Sequence, residues 1–272
     1  MKLATYRDGS RDGQLVVVSR DLALAHYASG IATRLQQVLD DWNFLSPQLE
    51  DLSLTLNQGK ARHAFPFEPA MCMAPLPRAY RHERDAGLHA PSDDFSGACD
   101  DIAWPGDALR LDAQAALAAI CGDIDAGATP ESALEGIRLL MLTQTIIGSA
   151  DGAAPFELMT ACAPVAVTPD ELGGAWQGGC LLLDIRSTRN GKRQSRPAAT
   201  PEAPFGARIS ASLRRRGLRA GAIVASALQI DAATAEPLQA GDELRIEIVG
   251  PDGTHVFGTI DQRVEGPTGA AG

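Results

Sequence analysis

The chain has 272 residues, 45% hydrophobic and 21% charged, with a formal net charge of −10, which suffices for one large domain or a small domain beside a medium one. The excess of carboxylates disfavours nucleic acid and anionic membrane as partners, because both reward clustered cations. No run approaches the ~20 apolar residues that span a bilayer, and MKLATYRDGSRDG lacks the apolar centre of a secretion signal, so the expected location is the cytoplasm.

Along the chain, Lys2–Tyr6 and Gln14–Ser19 alternate around RDGSRDG, whose Asp-Gly pairs supply the positive φ of a tight turn, and a β-hairpin is expected. Ile31–Trp42 carries Ile31, Leu35, Val38 and Leu39 at helical spacing. Ser46–Leu56 reads as a second helix, with Ser46 as cap and Pro47 in the first turn. The Pro-rich PFEPAMCMAPLPRAY then breaks all periodicity, and RHERDAGLHAPSDDFSGACDDIAWPGD reads as polar loop. In it, His82-Glu83-Arg84-Asp85 is taken as an exposed connector, and Asp93, Asp94, Asp100 and Asp101 as a solvated acidic loop.

Arg110–Ile120 alternates like a strand. Thr129-Pro130-Glu131 opens a helix whose apolar period runs to Leu142. Short strands are expected at Cys180–Arg186, Ala222–Ala227, Leu244–Val249 and His255–Ile260, the last two forming a hairpin around GPDG, before a terminal GPTGAAG with nothing to bury. Ser149 lacks the strand and helix context of a nucleophile elbow. Glu247, between Ile246 and Ile248, is expected to point outward. Cys72, Cys99, Cys121, Cys162 and Cys180 are odd in number and lack CxxC spacing, so they read as buried free thiols rather than disulfides or a zinc site. Between Arg186 and Arg219 ten Lys/Arg face the single acid Glu202. That run is either a solvated face or a docking surface for an acidic partner or anionic ligand.

MKLATYRDGSRDGQLVVVSRDL, VLDDWNFLSPQLEDL, ARHAFPFEPAMCMAPLPRAY, SDDFSGACDDI, ATPESALEGIRLLML, PVAVTPDELGGAW and GDELRIEIVGPDGTHVFGTIDQ together resemble the fumarylacetoacetate hydrolase family, bacterial type, in consistent order over nearly the whole chain. The resemblance implies an α+β fold: a small α/β N-terminal domain at 1–78, a connector at 79–94, a mixed β-sandwich roll at 95–264 and a flexible tail at 265–272. It also implies a frequent dimer and a divalent metal held by Glu-x-Glu on one strand plus an Asp after a helix. Such a metal polarises a 1,3-dicarbonyl substrate while a His/Glu pair activates water.

In the matching register the two glutamate positions fall on Gln114 and Ala116, and the Asn-Asp pair on Gln144 and Thr145. A substrate-polarising lysine falls near Glu157 and a Gly-Thr pair near Ala227-Leu228. Segments are missing between Tyr80 and Ser92 and between Gln229 and Gly241, where the catalytic His and its Glu partner usually lie. His82 and His89 align to neither. The expectation is therefore a scaffold without catalytic, cofactor-binding or metal-ligating residues, inactive as a hydrolase. It would act through homodimers or with an active homologue, with a small keto-acid as a possible ligand. The alternative is metal-independent tautomerase, cyclase or lyase chemistry on a keto-acid, with an arginine, Gln114 and Gln144 binding the ligand. A different register would instead draw carboxylates from Asp112 or Asp123.

Overall fold

The computed structural model describes residues 1–84, 88–106, 108–194, 203–213, 216–227, 236–250 and 253–266. The chain opens with β1 (Lys2–Tyr6) and β2 (Gln14–Val18), paired from Lys2↔Val18 to Tyr6↔Gln14. Gly13 takes a positive φ of 56° at a spot where a Cβ would collide with Thr5 and the Tyr6 carbonyl, so only glycine fits there. β3 (Leu24–Tyr27) extends the sheet, followed by α1 (Leu35–Asp40), α2 (Trp42–Asn57) and the short β4 (Phe65–Pro66).

Both helices differ from expectation at their ends. The first is limited to Leu35–Asp40, whereas the second starts at Trp42, so Pro47 lies inside it rather than in its first turn. Ser46 is buried within the helix and caps nothing. Leu45, Leu49, Leu52 and Leu56 pack onto the core at helical spacing, and their burial carries the helix through the proline.

The polar stretch after Tyr80 holds two further strands, β5 (Arg81–Arg84) and β6 (Leu88–His89). β5 lies in the main sheet, paired in parallel with a strand 141 residues later in the chain, Ala222↔Arg81 to Ala225↔Arg84. The exposed-connector reading of 81–84 is therefore corrected: His82 and Glu83 are 3% and 2% exposed. β7 (Arg110–Cys121) falls where its alternation places it.

Helix α3 (Pro130–Glu135) begins as expected, the Thr129 hydroxyl accepting from the Ser132 amide at 3.3 Å, but ends at Gly136. The residues expected to continue it form β8 (Ile137–Ser149). Ile137 and Leu139 to Ile146 are buried, and an apolar run such as Leu139–Leu142 suits a strand covered on both faces as well as it suits a helix. Next come β9 (Phe156–Cys162), β10 (Ala166–Val167), β11 (Trp176–Gln177), β12 (Cys180–Leu181), β13 (Asp184–Arg189), β14 (Lys192–Arg193), α4 (Phe205–Ser212), β15 (Ala222–Ala227), β16 (Glu243–Val249) and β17 (His255–Arg263). Pro251 and Asp252 of the expected GPDG turn lie outside the described residues.

Eleven of these strands form one mixed sheet in the order β4-β3-β2-β1-β10-β8-β7-β15-β5-β6, with β9 also on β8. A second sheet orders β14-β13-β16-β17. Ala115, Leu117 and Ala119 of β7, with Leu140 and Leu142 of β8, pack against Ile246, Ile248, Phe257 and Ile260 of the second sheet. The opposite face, Ala116, Ala118, Ile120, Leu139 and Met141, packs toward Leu35, Val38 and Leu49 of the helices. The fold is thus α+β with a sandwiched mixed sheet, and no described helix is long and apolar enough to cross a membrane.

Candidate functional site

Strands β7, β8 and β9 run side by side at the centre of the large sheet, and their registers decide which side chains meet. Gln114 lies opposite Thr145, which lies opposite Thr160, while Ala116 lies opposite Thr143 and Thr143 opposite Cys162. Residues directly opposite one another point to the same face, so Gln114, Ala116, Thr145 and Thr160 line one side of the sheet. Gln144 projects to the other side, where its amide donates to Gln262 Oε1 at 3.1 Å and Gln262 donates to the Asp100 carbonyl at 2.6 Å. A ligand held jointly by Gln114 and Gln144 is therefore excluded by the sheet between them.

Onto the Gln114 face comes Arg84, from β5. Its Nη2 donates to Gln114 Oε1 at 2.8 Å, and its Nη1 lies 3.4 Å from Glu157 Oε2. Both ends of the pair are largely buried, the side chains of Arg84 and Glu157 being 12% and 9% exposed. The Glu157 carboxylate also accepts from Thr160 Oγ1 at 2.5 Å, and Thr160 shares a 2.7 Å contact with Thr145 Oγ1. The result is a chain of contacts, Gln114 to Arg84 to Glu157 to Thr160 to Thr145, in which one guanidinium and one carboxylate satisfy each other and the neutral groups around them.

A divalent cation of the Mg²⁺ type needs about six oxygen ligands, several of them anionic. The positions that the family resemblance assigns to those ligands offer an amide, a methyl group and a hydroxyl. The carboxylate that reaches this cluster, Glu157, is already engaged by Arg84 and Thr160. Among the described residues no three His, Cys, Asp or Glu side chains gather closely enough to hold a metal. The residues present do not fit such an ion.

The other candidates are placed plainly. Asp112 pairs with Arg110 at 3.0 Å, and Asp123 accepts from the Ala220 amide at 3.1 Å, so the alternative register brings no carboxylates together. Asp100 accepts from the Gly97 amide at 2.8 Å and pairs with Arg7, while Asp101 accepts from the Arg263 amide at 3.2 Å, so both tie the loop to neighbouring segments. Ser149 is paired with Arg110 at the end of β8. Glu247 faces away from the core and meets His255 at 3.2 Å and Arg245 at 3.3 Å. Cys72, Cys121 and Cys162 are buried, and burial raises all three thiols, Cys121 to about 12. Cys99 differs from expectation in being exposed, and Cys180 is half-buried. Of the basic run, Arg196, Arg214 and Arg215 lie outside the described residues, as do Leu228, Gln229, the stretch 230–235 and the tail from 267.

Arg84 was missed by sequence reasoning. It sits in RHERD, a run of charges without an apolar partner, and pairing with the distant strand β15 brings Arg81–Arg84 into the sheet.

The fold and this strand arrangement are those of the fumarylacetoacetate hydrolase type. The structure matches maleylpyruvate hydrolase from Sphingobium sp. SYK-6 with a TM-score of 0.72 at 16% identity, covering 97% of this chain and 99% of the other. Another structure of that hydrolase holds a manganese(II) ion and pyruvate. Fumarylacetoacetate hydrolase from Exiguobacterium antarcticum matches at 0.69 and 18% identity, over 97% and 99% of the two chains. The 5-carboxymethyl-2-hydroxymuconate delta-isomerase from Mycobacterium smegmatis matches at 0.61 and 16%, again over 97% and 99%. No curated protein sequence matches the chain. Residues 1–78 match the family described as Fumarylacetoacetase N-terminal domain 2.

Proposed function

We propose that this chain keeps the fumarylacetoacetate hydrolase scaffold without its metal-dependent carbon–carbon hydrolysis, and acts by association, as a homodimer or with an active homologue in the cytoplasm. One observation carries the reading. On the face that would present anionic ligands to a dication, the positive charge is Arg84's guanidinium, and among the described residues the carboxylate it meets is Glu157. A dication entering there would face neutral donors and a neighbouring cation, and at ~4 Å like charges repel by several kcal/mol in a partly buried site.

The test is thermal unfolding with Mg²⁺ or Mn²⁺, alone and with oxalate or an acylpyruvate. Ligands that bind the native state raise its stability, so the melting temperature is expected to stay unchanged. A rise of several degrees on adding metal refutes the proposal. Pull-down of an active family member, or a dimer in light scattering, supports the association half; a strict monomer that captures no homologue counts against it.

A second reading has one observation in its favour. Glu157, Thr160 and Thr145 form a line of carboxylate and hydroxyls beside a guanidinium, which could anchor a keto-acid carboxylate and shuttle its proton without a metal. Turnover of a keto-acid in the presence of a chelator would favour it.

A further inference from the structure

At the other end of β5 from Arg84 lies a cavity of about 490 Å³ whose lining includes three arginines. Arg81, Arg216 and Arg219 border it, with His82, Ser92 and Tyr80. In a protein of net charge −10, three guanidinium groups around one hollow run against the overall balance.

Their charges are unequally neutralised. Arg81 meets the buried Glu83, yet its Nε is buried with no hydrogen-bond partner. Arg219 stands 3.8 Å from Asp123, with both side chains mostly in water, where such a pair contributes little. Arg216 is exposed, and among the described residues no carboxylate pairs with it.

The floor of the hollow contains a buried imidazole. His82 is 3% exposed, its ring meets the edge of Phe95 at 5.1 Å, and its Nδ1 donates to the Pro91 carbonyl at 3.0 Å. That bond fixes the ring. Tyr80, 69% exposed, supplies a large apolar wall in need of cover.

We propose that this cavity binds a small organic polyanion, bearing phosphate or several carboxylates, with its anionic groups on Arg216, Arg219 and Arg81 and its carbon skeleton against Tyr80. Forked guanidinium donors suit either anion, because both present paired oxygens at the matching spacing. The site shares no residue with the Arg84–Glu157 pair, so its occupancy does not depend on whether that pair is catalytic.

Isothermal titration with phenyl phosphate, inorganic phosphate and citrate tests the proposal on the whole chain. Phenyl phosphate is expected to bind more tightly than inorganic phosphate, with Tyr80→Ala removing that preference. Arg216→Ser with Arg219→Ser, both at exposed positions, is expected to lower affinity by about tenfold or more at unchanged melting temperature, the worth of one or two charge-assisted hydrogen bonds. The ratio of citrate to phenyl phosphate affinity tells a polycarboxylate from a phosphate ester as the natural class. Absence of binding for all three at millimolar concentration, or equal binding by the doubly substituted protein, overturns it.

Discussion

Arg84 and Glu157 meet at 3.4 Å with little water around either, and such pairs are asymmetric in energy. Removing one partner strands the other, at a cost of about 3 kcal/mol, whereas replacing both with apolar groups of similar size is often neutral or stabilising. Arg84→Met is expected to lower unfolding stability in urea by about that amount, and Arg84→Met with Glu157→Leu to recover most of it. A loss below ~1 kcal/mol for the single substitution would mean that water screens the pair as it does at a surface. A second residue-scale consequence concerns Lys2, a buried lysine whose amine donates to the carbonyls of His255 at 3.0 Å and Val256 at 2.8 Å. Burial lowers its pKa to about 8 from 10.5, with Glu171 opposing. The unfolded chain then holds this proton longer than the native one, so the Lys2 contribution makes stability rise with pH from about 8 to about 10.5. The full span is worth about 3 kcal/mol. Chemical unfolding across that range should show the rise in the wild type and a smaller one in Lys2→Met.

Elements were legible where local chemistry and burial agreed. The β1–β2 turn, the Thr129 cap, β7, β15 and the β16–β17 pair all follow from alternation or turn residues, because each is settled by neighbours in sequence. Elements failed where a distant partner decided the outcome. RLLML, to Leu142, satisfies a helical period, but with β7, β9 and β10 as neighbours it becomes part of the sheet's central strand. RHER carries no strand signal, and its pairing with β15 on one side and β6 on the other makes it one. Pro47 is a local rule overridden by packing: it lacks the amide that would bond the Asn43 carbonyl, yet Leu49 and Leu56 hold the helix through it. Pro47→Ala is expected to raise the melting temperature, the regained hydrogen bond and relieved clash being worth about 1 kcal/mol or more. An unchanged or lower value would show that the proline is fitted to a bend in α2.

For the molecule as a whole, the composition bounded the size and the family resemblance implied the architecture, but neither placed a guanidinium among the strands that carry the metal-ligand positions. Loss of ligands can be read from a sequence by register; what takes up their space cannot, because it comes from another part of the chain. The N-terminal unit is likewise less separate than a boundary at residue 78 suggests. β1 is joined edge to edge with β10, Leu3 opposite Ala166, so the sheet passes without a break from the first strands into the last two-thirds of the protein. That seam sets a timetable for synthesis. At ~5–20 residues per second, a ribosome leaves the first hairpin with one bare edge for roughly ten seconds or more until Ala166 emerges. In the interval the hairpin must avoid every other strand in the crowd, and the charged Arg-Asp turn at its tip and the helices that follow it are what the nascent chain has to shield it.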